Sequence, residues 1–166
     1  WIIKIMRAEK GTDFLDRDQL RYYFEKGCKP SSEWGIGSEY ENFILSLDSK
    51  RPVGYAGPKS ISKVFDLLIN KFEWVPVFEK SNIVGLEKGK ANISLEPGGQ
   101  FELSGAIKKT VHEVELEMTS FIHNMEVVCE ELGLGLFSMG ATPYWKRDEM
   151  PIMPKNRYQK IMMPYM

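Results

Sequence analysis

The stretch Ser94-Leu95-Glu96-Pro97-Gly98-Gly99-Gln100-Phe101-Glu102-Leu103-Ser104-Gly105 predicts two strands joined at a tight Pro-Gly-Gly corner. Side chains alternate between the two faces of a strand, so the polar residues on either side of the corner share one face. That face carries Ser94, Glu96, Gln100, Glu102 and Ser104. Two carboxylates on one sheet face are costly to bury unless a cation accompanies them. The pattern therefore favours a divalent metal site at this face.

A second segment, residues 34–45, repeats the acidic pattern. Glu39 and Glu41 lie two residues apart on a predicted strand, and Phe43 follows them on the same face. Exposed glutamates are common on the outer face of antiparallel sheets, so this segment alone is equally consistent with a solvated surface. Its repetition on a separate strand favours one shared acidic site.

The spacing of apolar residues predicts the remaining elements. Helices are expected over 16–26, 58–72 and 106–132, and strands over 74–78, 83–86, 91–96 and 134–139, with a hairpin turn at 87–90. Glu113, Glu115 and Glu117 alternate as they would on a strand. Residues two apart on a helix, however, diverge by about 200°, and the helical pattern continues on both sides of them. The chain is therefore predicted to be α+β, with helices covering the back of a sheet.

Near its end the chain carries basic residues at the start of a predicted helix over 155–163, which Pro154 begins. Lys155 and Arg157 oppose the helix macrodipole there, at a cost of a few tenths of a kcal/mol. The placement is explained if the helix terminus and Arg157 together receive an anion. An ordinary surface arginine fits the spacing equally well.

Composition excludes several classes of protein. The 166 residues are 43% hydrophobic and 27% charged with a net charge of −1, which gives no basis for a nucleic-acid or membrane partner. No apolar run approaches the roughly 20 residues of a membrane span. Residues 1–7 do not form a signal peptide, and since the sequence begins at Trp1 we expect the natural N-terminus, with any targeting segment, to be missing. No repeat or linker divides the chain, so residues 1–166 are predicted to lack an internal domain boundary.

Cys28 and Cys129 are too few for a disulfide framework or a zinc site. They are predicted to be thiols in a reducing compartment, with a redox bridge as the alternative.

Three segments together resemble the plant-type glutamate–cysteine ligases, a family that also has many bacterial members. They are 37–43 (GSEYENF), 94–105 (SLEPGGQFELSG) and 153–162 (MPKNRYQKIM), and residues 27–30 also look familial. The resemblance implies a glutamine-synthetase-like catalytic fold, in which a curved antiparallel sheet forms an open funnel with helices packed on its outer face. The family's enzymes are considerably longer, which implies that this chain is an N-terminal piece. The implied location is the cytoplasm, or the plastid if the source is a plant.

The same resemblance implies ATP- and Mg²⁺-dependent joining of the glutamate γ-carboxylate to the cysteine amine through a γ-glutamyl phosphate, the first step of glutathione biosynthesis. The implied partners are therefore the small molecules L-glutamate, L-cysteine and ATP. Carried over by position, the implied magnesium ligands are Glu39, Glu41, Glu96 and Glu102; the implied substrate-binding residues are Arg157, Lys155 and Gln100; the implied catalytic residues are Glu96 and Arg157. Tyr40 and Asn42 stand where the family usually has His and Lys.

Two other functions remain open from the sequence. One is a carboxylate–amine ligase of the same architecture that uses another amine acceptor. The other is a truncated, non-catalytic module that holds a metal ion or a carboxylate ligand.

Overall fold

The computed structural model describes residues 16–142 and 144–165, and the chain divides into two compact units, Trp1–Trp34 and Gly35–Met166. In the first unit, helix α1 (Arg17–Lys26) is followed by a 3₁₀ turn at Ser31–Glu33. The Asp16 side chain accepts a hydrogen bond from the Gln19 backbone, and Gln19 reciprocates, so the predicted start of this helix is confirmed as a capping box. Residues 1–7, on which the targeting prediction rests, lie outside the described residues.

The second unit contains an open, six-stranded antiparallel sheet in the order β2-β3-β4-β5-β1-β6. The strands are β1 (Glu39–Ser46), β2 (Val75–Glu79), β3 (Asn82–Lys88), β4 (Ala91–Leu95), β5 (Phe101–Ser104) and β6 (Leu134–Phe137). The helices are α2 (Ile61–Phe72) and α3 (Val111–Leu132). The predicted α+β class is confirmed. Among the described residues, no helix is long and apolar enough to cross a membrane.

The core lies between the two helices and the apolar face of the sheet. Ile93, Leu95, Phe101 and Leu103 point to this side from β4 and β5 and are almost fully buried. The ring of Phe65 on α2 lies 4.9 Å from the ring of Phe101, measured between centroids. Because the side chains of a strand alternate, this packing commits the polar residues of β4 and β5 to the opposite face.

Helix α3 begins at Val111 and not at Ala106, so its predicted start was wrong. The Thr110 side chain accepts a hydrogen bond from the Glu113 backbone N–H, and the Glu113 carboxylate accepts one from the Thr110 backbone N–H. This capping box makes Thr110 the N-cap, so the helix begins at the next residue. Lys108 instead bridges to Ile36 through paired backbone hydrogen bonds. Gly133, with φ of 65°, ends α3 in the left-handed conformation that glycine favours.

The corner between β4 and β5 is built as predicted. Glu96 N–H donates to the Gln100 carbonyl at 2.9 Å, and Gly99 N–H donates to the Glu96 carbonyl at 3.0 Å. Gly99 has a φ of 88°, which a residue with a side chain rarely adopts. The turn therefore fixes where each strand presents its carboxylate.

The predicted regular helix over 155–163 was wrong in form. A short helical start at Asn156 passes into a π-helical turn at Tyr158–Met162 and then into a 3₁₀ turn at Met163–Tyr165. The wider turn accompanies the burial of Tyr158, which is 4% exposed and sits against the end of β4. π-Helical turns occur frequently at functional sites.

Candidate carboxylate site

Three adjacent strands bring predicted site residues together on the polar face of the sheet. In the register of the sheet, Glu102 on β5 is opposite Ser94 on β4 and opposite Glu41 on β1. One row further along, Ser104 lies between Asn92 and Glu39. The shared acidic face that the sequence predicted is thus formed by residues distant in the chain. We call Glu39, Glu41, Glu96 and Glu102 the carboxylate face.

Burial and neighbouring negative charge disfavour the ionisation of two carboxylates of this face, Glu41 and Glu102. Burial raises the pKa of Glu41 above its ordinary value, and the nearby charges of Glu102 and Glu96 raise it further. Burial likewise raises the pKa of Glu102, with the charges of Glu96 and Glu39 adding to the effect. The face accordingly holds more negative charge than its own environment compensates, and a bound cation would relieve the repulsion.

Glu96 is held from both sides by hydrogen bonds. Its Oε1 accepts from Ser94 Oγ at 2.8 Å, and its Oε2 lies 3.2 Å from the Tyr158 hydroxyl. Arg157 Nη2 lies 3.6 Å from Glu96 Oε1. The two predicted catalytic residues, Glu96 and Arg157, are therefore neighbours, although Glu96 lies near the middle of the second unit's sequence and Arg157 near its C-terminal end.

Tyr158 connects this pair and was missed by sequence reasoning. Its hydroxyl proton is shared between the Leu95 carbonyl at 3.0 Å and Glu96 Oε2 at 3.2 Å, and its oxygen accepts from Arg157 Nη2 at 2.7 Å. The Arg157 guanidinium lies 4.8 Å from the centre of its ring. Burial raises the pKa of Tyr158 to about 12, so the hydroxyl keeps its proton near neutral pH. The hydrogen bond from Arg157 to Tyr158 also raises the pKa of Arg157. An aromatic residue directly after Arg157 was the signal available in the sequence.

Lys155 and Gln100 are placed less directly for binding a substrate. Lys155 is 9% exposed, burial lowers the pKa of its ammonium, and the charge of Glu96 opposes that effect. Its Nζ lies 5.4 Å from the centre of the Tyr158 ring. Gln100 Oε1 accepts from the Gly98 backbone N–H at 2.9 Å, so its carbonyl oxygen holds the corner and its NH₂ group is the part suited to a ligand.

The carboxylate face has the type of ligand atom that magnesium prefers, but its side chains are too far apart to enclose the ion by themselves. Carboxylate oxygens are the hard donors that Mg²⁺ prefers, and proteins bind it through one or two carboxylates with water and substrate phosphates completing the shell. Within the described residues, no three His, Cys, Asp or Glu side chains converge closely enough to hold a metal ion by themselves. Residues of the face therefore fit a site that phosphate oxygens complete, and not a cage made by the protein alone.

A cleft of about 1020 Å³ adjoins the Pro-Gly-Gly corner. Its apolar wall includes Phe43 and Trp145, whose ring centroids are 5.8 Å apart. The remaining lining includes Gln100 from the corner, Gly140, Ala141 and Thr142 from the segment after β6, and Met162 from the π-helical turn. A small molecule in this cleft would have an apolar wall on one side and the corner beside Glu96 on the other.

Comparison with known proteins decides the family. The model of glutamate–cysteine ligase family 2 matches residues 35–166. The chain belongs to this family. The match covers the whole second unit, including every residue of the carboxylate face.

Plant members of the family resemble the chain over nearly all of its length. It is 42% identical over 159 residues to glutamate–cysteine ligase B, chloroplastic, of Oryza sativa subsp. japonica, covering 96% of this chain and 31% of the rice protein. The chloroplastic enzymes of Medicago truncatula (43% identical) and Arabidopsis thaliana (42% identical) are matched over 96% of this chain and 30% of their own length. The chain spans about 30% of the length of these curated relatives.

Proposed function

We propose that this chain carries the metal- and glutamate-binding part of a glutamate–cysteine ligase. The observation that carries the proposal is the joining of the carboxylate face to Arg157 through Tyr158 and Glu96. A ligase of this type must hold metal-bound phosphate next to a substrate carboxylate. Adjacent anionic and cationic subsites on one sheet face meet that requirement, and the family membership supports the same reaction.

In the proposed reaction the glutamate γ-carboxylate attacks the γ-phosphorus of ATP, and ADP leaves as γ-glutamyl phosphate forms. The cysteine amine then attacks the acyl carbon, the C–O bond to phosphate breaks, and the amine proton is lost. Arg157 binds a carboxylate of glutamate, and its contacts with Tyr158 hold the guanidinium in place. Positioning and electrostatics supply most of the catalysis in such phosphoryl transfers.

Glu39, Glu41, Glu96 and Glu102 would supply magnesium ligands one or two at a time, with phosphate oxygens completing the shell. The bound metal would offset the negative charge of the transferring phosphoryl group. Ser94 fixes the rotamer of Glu96 by its hydrogen bond to Oε1. Ser104 donates to Glu102 Oε1 at 3.3 Å and does the same for that carboxylate. Lys155 adds positive charge near Tyr158 and Glu96, and the Gln100 NH₂ group offers a donor at the corner.

We further propose that residues 1–166 are the N-terminal part of one catalytic domain with a glutamine-synthetase-like fold. The open antiparallel sheet with helices on one face supports that architecture. A plastid or cytoplasmic location is proposed with it, and the chloroplastic relatives favour the plastid if the source is a plant.

The decisive experiment is a coupled assay of cysteine-dependent phosphate release from ATP and L-glutamate, made on the protein in its natural length. We expect Glu96→Gln and Arg157→Ala each to lower kcat/KM by at least about tenfold, which is about 1.4 kcal/mol of transition-state stabilisation. Arg157→Ala should raise the KM for glutamate more than the KM for ATP, because the guanidinium binds the amino acid.

Glu126→Gln and Lys160→Ala are matched controls, since both remove one charge from an exposed position outside the carboxylate face. Rates within about threefold of the unaltered protein in both site variants, an effect below about 1 kcal/mol, would refute the site assignment. Phosphate release that prefers another amine to cysteine would instead identify the ligase with a different acceptor. Binding of magnesium and glutamate without turnover would identify the non-catalytic module.

A further inference from the structure

A row of hydrogen bonds runs from β1 to the residue after β6 on the core side of the sheet. The Tyr40 hydroxyl donates to Ser138 Oγ at 2.8 Å, and Ser138 Oγ donates to Asn42 Oδ1 at 2.7 Å. Asn42 has no exposed surface, and its Nδ2 has no hydrogen-bond partner among the described residues. Burying an amide group with an unsatisfied N–H is unfavourable for folding. Stability alone therefore does not explain the choice of asparagine here.

The segment that this row anchors lies against the carboxylate face. Ser138 begins the segment 138–142, and three of its residues, Gly140, Ala141 and Thr142, line the large cleft. A Cβ atom built on Gly140 would lie 3.2 Å from Glu41 Oε2, so the backbone of the segment runs beside that carboxylate. Any shift of Ser138 would move this wall relative to Glu41.

The far end of the segment is fixed independently. Thr142 Oγ1 accepts from the Trp145 backbone N–H at 3.2 Å, and the Trp145 ring packs against Phe43 and Phe137, with centroids 5.8 and 6.1 Å apart. Two anchors, one at each end, define where Gly140 lies. Both anchors reach β1, the strand that carries Glu41: Ser138 bonds to Tyr40 and Asn42, and the Trp145 ring packs against Phe43.

We infer that Tyr40, Ser138 and Asn42 are positioning residues that hold the segment 138–142 beside Glu41 and thereby set the affinity of the carboxylate face for a divalent cation. The effect on cation affinity rests on the proposed function, whereas the holding of the segment beside Glu41 does not. Tyr40→Phe is a clean probe, because the ring stays in edge contact with Phe121 (centroids 6.2 Å apart) while the hydroxyl is lost. Ser138→Ala removes the central hydroxyl, and Ser138→Thr keeps it.

The test uses the protein in its natural length, with amide hydrogen exchange of residues 138–142 followed by mass spectrometry and Mn²⁺ affinity measured by calorimetry. We expect Tyr40→Phe and Ser138→Ala to speed exchange in the segment by at least about tenfold and to weaken Mn²⁺ binding by at least about threefold. Ser138→Thr, which keeps the hydroxyl, should retain the exchange rate and the Mn²⁺ affinity of the unaltered protein. Tyr55→Phe is the matched control, since it removes a partly buried tyrosine hydrogen bond, to the Ile83 carbonyl at 3.0 Å, away from this segment.

Unchanged exchange in Tyr40→Phe and Ser138→Ala would overturn the inference. Faster exchange with unchanged Mn²⁺ affinity would overturn it as well, because the segment would then be tethered without affecting the site. If the unaltered protein binds no Mn²⁺, the proposed metal-binding role fails, and exchange alone decides whether the three residues hold the segment. Should Ser138→Ala fail to fold, Tyr40→Phe and Ser138→Thr still give the answer.

Discussion

Gly105 follows β5 at a point where a side chain has no room. A Cβ atom there would overlap both Ser38 Oγ and Glu117 Oε2, and Glu117 is held in place by an ion pair with Lys108 at 2.9 Å. The Gly105 backbone N–H also donates to the Ser38 carbonyl at 2.8 Å. We expect Gly105→Ala to lower the free energy of unfolding by about 1–3 kcal/mol, as overpacking does elsewhere. Urea unfolding followed by circular dichroism measures the change.

Gly37 is the matched control, because it lies on the other side of Ser38 and no atom lies within 4 Å of a Cβ built there. Gly37→Ala should leave stability unchanged or raise it by up to about 1 kcal/mol. Equal losses in the two variants would show that the overlap with Ser38 and Glu117 is not the cause of the destabilisation.

At the level of strands, the burial of Glu102 on β5 and its repulsion by Glu96 and Glu39 have a pH signature. The folded protein raises the pKa of Glu102 above its ordinary value of 4.5, so the folded state binds a proton more tightly than the unfolded state does. Ionised Glu102 therefore lowers the free energy of unfolding. This reduction is fully present at pH values above the raised pKa and is absent below pH 4.5. Glu102→Gln removes the charge while keeping the size of the side chain.

We expect Glu102→Gln to be more stable than the unaltered protein at pH 7 without metal, by about 0.2–1 kcal/mol, the range for like charges directly opposite on strands. The advantage should shrink as the pH falls towards 4.5. Thermal unfolding in EDTA across this pH range measures it, and Glu126→Gln is the control on exposed α3 surface. A variant that is less stable at pH 7 would contradict the proposed repulsion.

Helices and strands that follow from the spacing of apolar residues could be predicted from the sequence. A helix end that depends on capping hydrogen bonds could not. The apolar positions of α2 and the alternation of β4 and β5 specified those elements, because burial on one face dominates there. The start of α3 was misplaced since Ile107 continues the apolar rhythm, while the Thr110 capping box decides where the helix begins. Capping depends on single polar side chains, which the spacing of apolar residues does not take into account.

At the scale of the molecule, the alternation of side chains along each strand predicted which carboxylates share a face. It did not predict the contacts between residues distant in the sequence. Because each carboxylate alternates with a core residue, the sequence indicated that Glu41 and Glu102 share a face, which the strand register confirms. Nothing in the alternation specified that Tyr158 would reach Glu96, or that Ser138 would reach Asn42. Those contacts depend on how the chain returns to the sheet, which local patterns do not encode.

If the carboxylate face binds a cation, replacing both Glu41 and Glu102 by glutamine should have opposite effects on the Tm without and with metal. A cation bound only to the folded state stabilises it by about 2.7 kcal/mol at a hundred times its Kd, and each kcal/mol raises the Tm of a protein this size by about 2–4 °C. Mn²⁺ should therefore raise the Tm of the unaltered protein and of Glu126→Gln. In Glu41→Gln/Glu102→Gln the metal-free Tm should be higher and the rise with Mn²⁺ much smaller, because the repulsion and the ligands are the same groups. An equal rise in both proteins would place the cation away from the carboxylate face.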